Sequence, residues 1–116
     1  MKYNELEPLV IQWAKDKGIL EKATPLDQAK KTYEELHELI EALEVQEDDV
    51  SDYYNVKGKL VNTNEEILDA LGDILVTIII QAEMQGLKLE DCLESAYNVI
   101  SKRTGSMQNG QFVKDE

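Results

Sequence analysis

Two short acidic patterns in this chain have the spacing that oxygen-ligand chemistry needs. The first is Glu34-Glu35-Leu36-His37-Glu38, with Glu41 following. Glu35 and Glu38 stand three apart, so on a helix they project from neighbouring turns of one face, with Glu34 and Glu41 beside them. The second is Glu66, Asp69 and Asp73, at i, i+3 and i+7. At ~100° per residue these three form one stripe within ~60° of one another. The stripe runs on into Val76, Thr77 and Ile80, which have little reason to face bulk water. Like charges at such spacings destabilise an isolated helix by about a few tenths of a kcal/mol per pair, so a counter-charge is expected. A hard divalent cation supplies one: magnesium first, with manganese as a substitute, since both take carboxylate oxygens and leave positions for water and phosphate.

The two patterns differ in weight. Glutamates alone, as in the first, are what a solvated helix face looks like, because Glu is a strong helix former. Asp inside a helix is a poor choice, so Asp69 and Asp73 beside Gly72 ask for a reason that propensity does not give. Gly72, lacking a side chain, is expected to permit close approach of a helix or a substrate. His37 is the lone histidine and reads as a surface residue, with no cluster to support zinc.

Four helices are expected to position these groups. Asn4 with Glu7 reads as the cap of the first, which runs to about Lys17 with Pro8 in its opening turn and Leu6, Val10, Trp13 and Ala14 as an apolar stripe. Thr24-Pro25 with Asp27 opens the second, from about Pro25 to Val45. Its Leu36, Leu39, Ile40 and Leu43 share one side, with Glu34, Glu38 and Glu41 opposite and Glu35 at the edge. Gln46 to Asn62 reads as a loop, with a short turn of helix around Tyr53 to Val56 and both tyrosines in local packing. Thr63 and Glu66 form a capping box for the third helix, about Asn64 to Met84. After Leu75 that helix is apolar nearly all round, which requires cover on every side and predicts a homo-oligomer, a homodimer or homotetramer. The fourth runs from about Leu89 to Arg103, and Asn109-Gly110 then signals a small hairpin. The expected architecture is an all-α, four-helix antiparallel bundle with a minor C-terminal β-hairpin, a single domain over residues 1–116.

Composition narrows the function. Lys and Arg number 12 against 24 Asp and Glu, for a formal charge of −12, which disfavours a protein that holds nucleic acid by neutralising phosphates. A small phosphate ligand bridged by divalent cations remains compatible with that charge. Cys92 is single, so neither a disulfide within the chain nor a CxxC pair can form. The N-terminal residues lack a signal pattern, and the apolar run from Ile74 to Ile80 is far below the roughly 20 residues that span a bilayer. A cytoplasmic protein with no membrane partner is expected.

At this level of detail a family resemblance becomes specific. Lys31-Thr-Tyr-Glu34-Glu35-Leu-His-Glu38-Leu-Ile-Glu-Ala42 resembles the EExxE segment of MazG-like nucleotide pyrophosphohydrolases. Asp69-Ala-Leu-Gly72-Asp73-Ile-Leu resembles their second segment, usually spelled E-E-L-G-D. The stretch from Asp91 to Gly105 resembles their last helix, and the asparagine-glycine tail is most similar to short, phage-type members. The likeness covers roughly Leu26 to Phe112. It departs from the pattern at Ala70, where the family has a ligand Glu. The resemblance implies magnesium on Glu35, Glu38 and Asp73, with Asp69 as fourth ligand and Glu66 next in line. It implies hydrolysis of a nucleoside triphosphate to monophosphate and pyrophosphate, with Glu34 orienting or deprotonating water and Lys31, Asn98, Lys102 and Arg103 near the phosphates. The rivals are hydrolysis of another pyrophosphate, such as an alarmone or phosphoribosyl-ATP, and a non-catalytic helical interaction module.

Overall fold

The computed structural model describes residues 1–115. The chain is mostly helical and divides into two compact units, residues 1–86 and 87–116.

In the first unit, α1 (Tyr3–Asp16) and the short α2 (Ile19–Lys22) precede α3 (Pro25–Glu47), the hairpin β1 (Asp52–Tyr54) and β2 (Leu60–Asn62), and α4 (Thr63–Met84). Helix α1 starts earlier than its sequence suggests: Lys2 is the cap, and the Glu5 carboxylate accepts from the Lys2 N–H at 3.3 Å. Pro8 therefore falls in the second turn rather than the first. Gly18, at φ 78°, turns the chain into α2, which the sequence reading did not contain. Helix α3 opens as expected, Thr24 and Asp27 exchanging bonds of 3.0 and 2.9 Å.

Helices α3 and α4 lie antiparallel, since the Gln81 side chain donates to the Pro25 carbonyl at one end and Glu66 lies near Glu41 at the other. A buried polar ladder fixes their register. Thr32 Oγ1 donates to Thr77 Oγ1 at 2.8 Å, Thr77 Oγ1 donates to the Ile74 carbonyl at 2.7 Å, and Gln28 Nε2 donates to the Thr77 carbonyl at 3.3 Å. Small residues let the helices approach: among the described residues, the buried apolar ones are Ala14, Ala42, Ala70, Ile79, Ile80 and Ala82. Trp13, read as core, is half exposed.

The segment between α3 and α4 is a β-hairpin, not a helical turn. Tyr53 pairs with Val61 and Tyr54 with Leu60, aromatic and aliphatic residues that favour strands once a turn brings them together. That turn comes from Asn55, whose Oδ1 accepts from the Lys57 and Lys59 N–H groups, each at 3.0 Å, with Gly58 at φ 79°. The cap of α4 also differs from the expected one. Asn62 Oδ1 accepts from the Glu65 N–H at 3.1 Å, while Thr63 is buried and donates its hydroxyl to the Val50 carbonyl at 2.6 Å. Thr63 is thus committed to the end of α3 and unavailable as a cap.

The second unit holds α5 (Leu89–Ile100) and the antiparallel pair β3 (Gly105–Gln108) and β4 (Gln111–Lys114). Helix α5 ends at Ile100, three residues short of the expected Arg103. Asn109 and Gly110 both have positive φ, 50° and 80°, as the expected type I′ turn demands.

Candidate metal and phosphate site

Antiparallel pairing of α3 and α4 sets the two acidic stripes against each other within the first unit. Glu38 is the common neighbour: its charge acts on Glu35, Glu66, Asp73 and Tyr53. Glu38 and Glu41 lie opposite Leu36, Ile40 and Leu43, as the helical wheel suggested, but it is the glutamate side, not the apolar side, that turns inward. Glu38 and Glu41 are half-buried, and Glu34 is exposed. Of the expected apolar stripe, Leu36, Ile40 and Leu43 are exposed, at 40–42 %, and Leu39 is half-buried. Helix α3 meets α4 instead through Gln28, Glu35 and Ala42, which are buried.

Glu35 is the most enclosed of the acids. Its Oε1 pairs with Lys31 Nζ at 3.3 Å, and its Oε2 is buried without a hydrogen-bond partner. Burial raises its pKa, the nearby Glu38 carboxyl adds to the shift, and Lys31 partly opposes it. Asp69 and Asp73 are exposed on α4, and partial desolvation of Asp73 by its neighbours, then the charges of Asp69 and Glu38, raise the Asp73 pKa, with Lys31 again opposing. Glu66 is raised by burial, then by Glu38 and Asp69, and also by Glu41, with Lys59 opposing. Lys31 reaches Glu34 at 3.6 Å as well, so one ammonium spans both glutamates of the pair.

These residues face one another but do not close on a point. Among the described residues, no three His, Cys, Asp or Glu side chains stand close enough together to enclose a metal ion. Lys31 pairs with Glu35 and Lys57 with Glu38, each at 3.3 Å. The donor set nevertheless fits a hard divalent cation: it is all carboxylate oxygen, one oxygen is buried and orphaned, and three of the acids are destabilised as anions. An open groove of about 400 Å³ adjoins this face, lined on α3 by Glu34, His37, Glu38 and Glu41 and on the hairpin by Val56 and Lys57.

Position 70, where the related motif carries its acid, is a buried alanine, 4 % exposed. Gly72 is not a helix-packing glycine: a Cβ built there meets nothing within 4 Å. Asn98 lies on α5, and Lys102 and Arg103 in the turn that follows it, all in the second unit. Tyr53, Lys57 and Lys59 are neighbours of the acids that the sequence reading did not single out as site residues. An Asn-x-Lys-Gly-Lys turn between Tyr-Tyr and Leu-Val was the available signal, hidden by reading the segment as loop.

The chain is thus a mostly helical protein whose first unit carries a cluster of carboxylates on two facing helices. A family model, the MazG nucleotide pyrophosphohydrolase domain, matches residues 23–107, and the chain belongs to that family. No curated protein and no solved structure matches the chain. Members of the family depend in general on a divalent metal. Among the described residues, no helix is long and apolar enough to cross a membrane.

Proposed function

We propose that this protein is a magnesium-dependent nucleoside triphosphate pyrophosphohydrolase, converting a (d)NTP and water to the (d)NMP and pyrophosphate. The observation that carries the reading is the shared influence of Glu38 on Glu35, Glu66 and Asp73, acids from two facing helices in a chain of the MazG family. Glu35, Glu38, Asp69 and Asp73 would hold magnesium, with manganese as a substitute and Glu66 the alternative to Asp69. When bound, the ion neutralises phosphate charge and the leaving pyrophosphate.

The chain's own residues supply the remainder. Glu34 is exposed at the groove edge and next to the ligand pair, and in this reading it would orient or deprotonate the attacking water. Lys31 keeps Glu34 and Glu35 oriented and adds positive charge beside the phosphates. Asn98, Lys102 and Arg103 are further phosphate contacts on the strength of the family resemblance alone. Assembly as a homodimer or homotetramer is part of this reading, as is a cytoplasmic setting without nucleic-acid or membrane partners.

The test is pyrophosphate release from a nucleotide panel by the wild type and Glu38→Gln. Turnover by the wild type, lost in the variant while its helical circular dichroism is retained, is the expected result. Release of orthophosphate alone, or cleavage confined to alarmones or phosphoribosyl-ATP, would overturn the reaction assigned here.

A further inference from the structure

The β1–β2 hairpin brings to the acidic face three groups that neither helix supplies. Lys57 Nζ lies 3.3 Å from Glu38 Oε1. The charge of Lys59 acts on Glu66, and the Tyr53 hydroxyl, near Glu38, Glu41 and Glu66, is buried without a hydrogen-bond partner. An orphaned phenol at such a place calls for a polar occupant, since an unmet buried donor is costly.

The turn fixes where Lys57 starts, and its side chain is free to go elsewhere. Asn55 holds the backbone at Lys57 and Lys59, and the Asn55 and Gly58 main chains close the loop with bonds of 2.9 and 2.8 Å. The Lys57 side chain, by contrast, is 69 % exposed against 29 % for Glu38, and it lines the groove. An ammonium has three donors and no acceptor, so it can pair with a carboxylate or a phosphate oxygen and with no cation. A divalent ion on Glu38 Oε1 therefore competes with Lys57, and a triphosphate brought by that ion offers Lys57 a new partner in the groove.

We propose that Lys57 is a substrate-positioning residue that holds Glu38 until a divalent cation takes that carboxylate, and then engages the phosphate oxygens of the nucleotide in the groove. This rests on the nucleotide reading above, and its test separates the two.

Manganese is first titrated calorimetrically into the wild type, Lys57→Gln and Lys30→Gln without nucleotide. Lys30 lies beside Asp27 and controls for loss of one positive charge elsewhere on α3. Lys57→Gln should bind manganese about three- to tenfold more tightly than the wild type, the scale of removing one nearby unit charge, and Lys30→Gln within about twofold. A nonhydrolysable triphosphate is then titrated in saturating manganese. Lys57→Gln should lose about tenfold in affinity, and Lys57→Arg, which keeps the charge, should recover most of it. Equal manganese affinity in Lys57→Gln and the wild type, or unchanged nucleotide affinity, would overturn the role of Lys57 and leave the pyrophosphohydrolase reading standing. A wild type that binds neither manganese nor the analogue would overturn both.

Discussion

Glu35, Glu66 and Asp73 share one sign of shift, and that sign has a consequence for stability. Each holds its proton more tightly in the folded chain because desolvation, followed by neighbouring carboxylates, disfavours the anion. Stability from a raised acid is fully present below its unfolded pKa and is lost as pH rises through the folded value. Asp27 works in the opposite sense: the Thr24 N–H and hydroxyl lower its pKa, so its contribution is present above the ordinary carboxylate range and lost as pH falls through the lowered value. The two windows are separate. The thermal midpoint should therefore rise as pH is lowered from neutral toward the ordinary carboxylate range, and decline as pH falls below that range and Asp27 protonates. Thermal scans at fixed ionic strength check this, and a midpoint that falls on acidification from neutral toward that range would contradict it. Magnesium at pH 7 relieves the same repulsion and should raise the midpoint, with a smaller rise in Glu38→Gln. Gly72 gives a second residue-scale prediction. Because nothing lies within 4 Å of its would-be Cβ, Gly72→Ala should stabilise the helix by roughly 0.5–1 kcal/mol in urea titrations.

At the scale of elements, the ladder between Thr32, Thr77 and Gln28 decides how the acids on α3 and α4 meet. Thr77→Val keeps the shape and the backbone carbonyl that Gln28 uses, but deletes a hydroxyl that joins Thr32 to Ile74. The substitution should cost about 0.5–1.5 kcal/mol by urea unfolding, because the inter-helix bond is lost while Thr32 keeps the Gln28 carbonyl of its own helix as acceptor at 3.2 Å. A valine variant as stable as the wild type would mean that the ladder does not hold the register. The sequence disclosed the helices well where a local signal was decisive: Thr24-Pro25-Asp27 opens α3, and Asn109-Gly110 closes the second hairpin. It misled where a residue's partner lies far along the chain. Thr63 has the spelling of a cap but is taken by Val50, and Tyr53 pairs with Val61 across a turn that periodicity does not register. The acidic stripes of the candidate site were readable because their spacing is helical. Lys57 was not, because its distance to Glu38 is set by a hairpin tip rather than by a helix.

At the scale of the whole molecule, the first unit has too little large apolar cover for its helices. Among the described residues, no large side chain is completely buried, and the enclosed apolar residues are four alanines and two isoleucines. On α4, Leu68, Leu71 and Leu75 are 72, 55 and 40 % exposed, and their spacings of three and four put them on one stripe. Helix α1 leaves Leu6, Leu9 and Trp13 in the same condition, with the same spacing. The excess was expected beyond Leu75, yet Thr77, Ile79, Ile80 and Ala82 are buried there, so the uncovered stripe lies on the earlier half of α4. Two copies pairing through such stripes would bury leucine side chains worth about 1.5–3 kcal/mol each when fully covered, which is the scale an obligate interface draws on. Size-exclusion chromatography with light scattering should accordingly read two or four chain masses. Leu68→Glu with Leu71→Glu should lower that number, because a buried unpaired carboxylate at an apolar interface is costly, while on an exposed helix surface it is tolerated. A wild type that elutes as a monomer across micromolar concentrations, or a double variant with unchanged mass, would show that the α4 stripe serves another purpose than assembly.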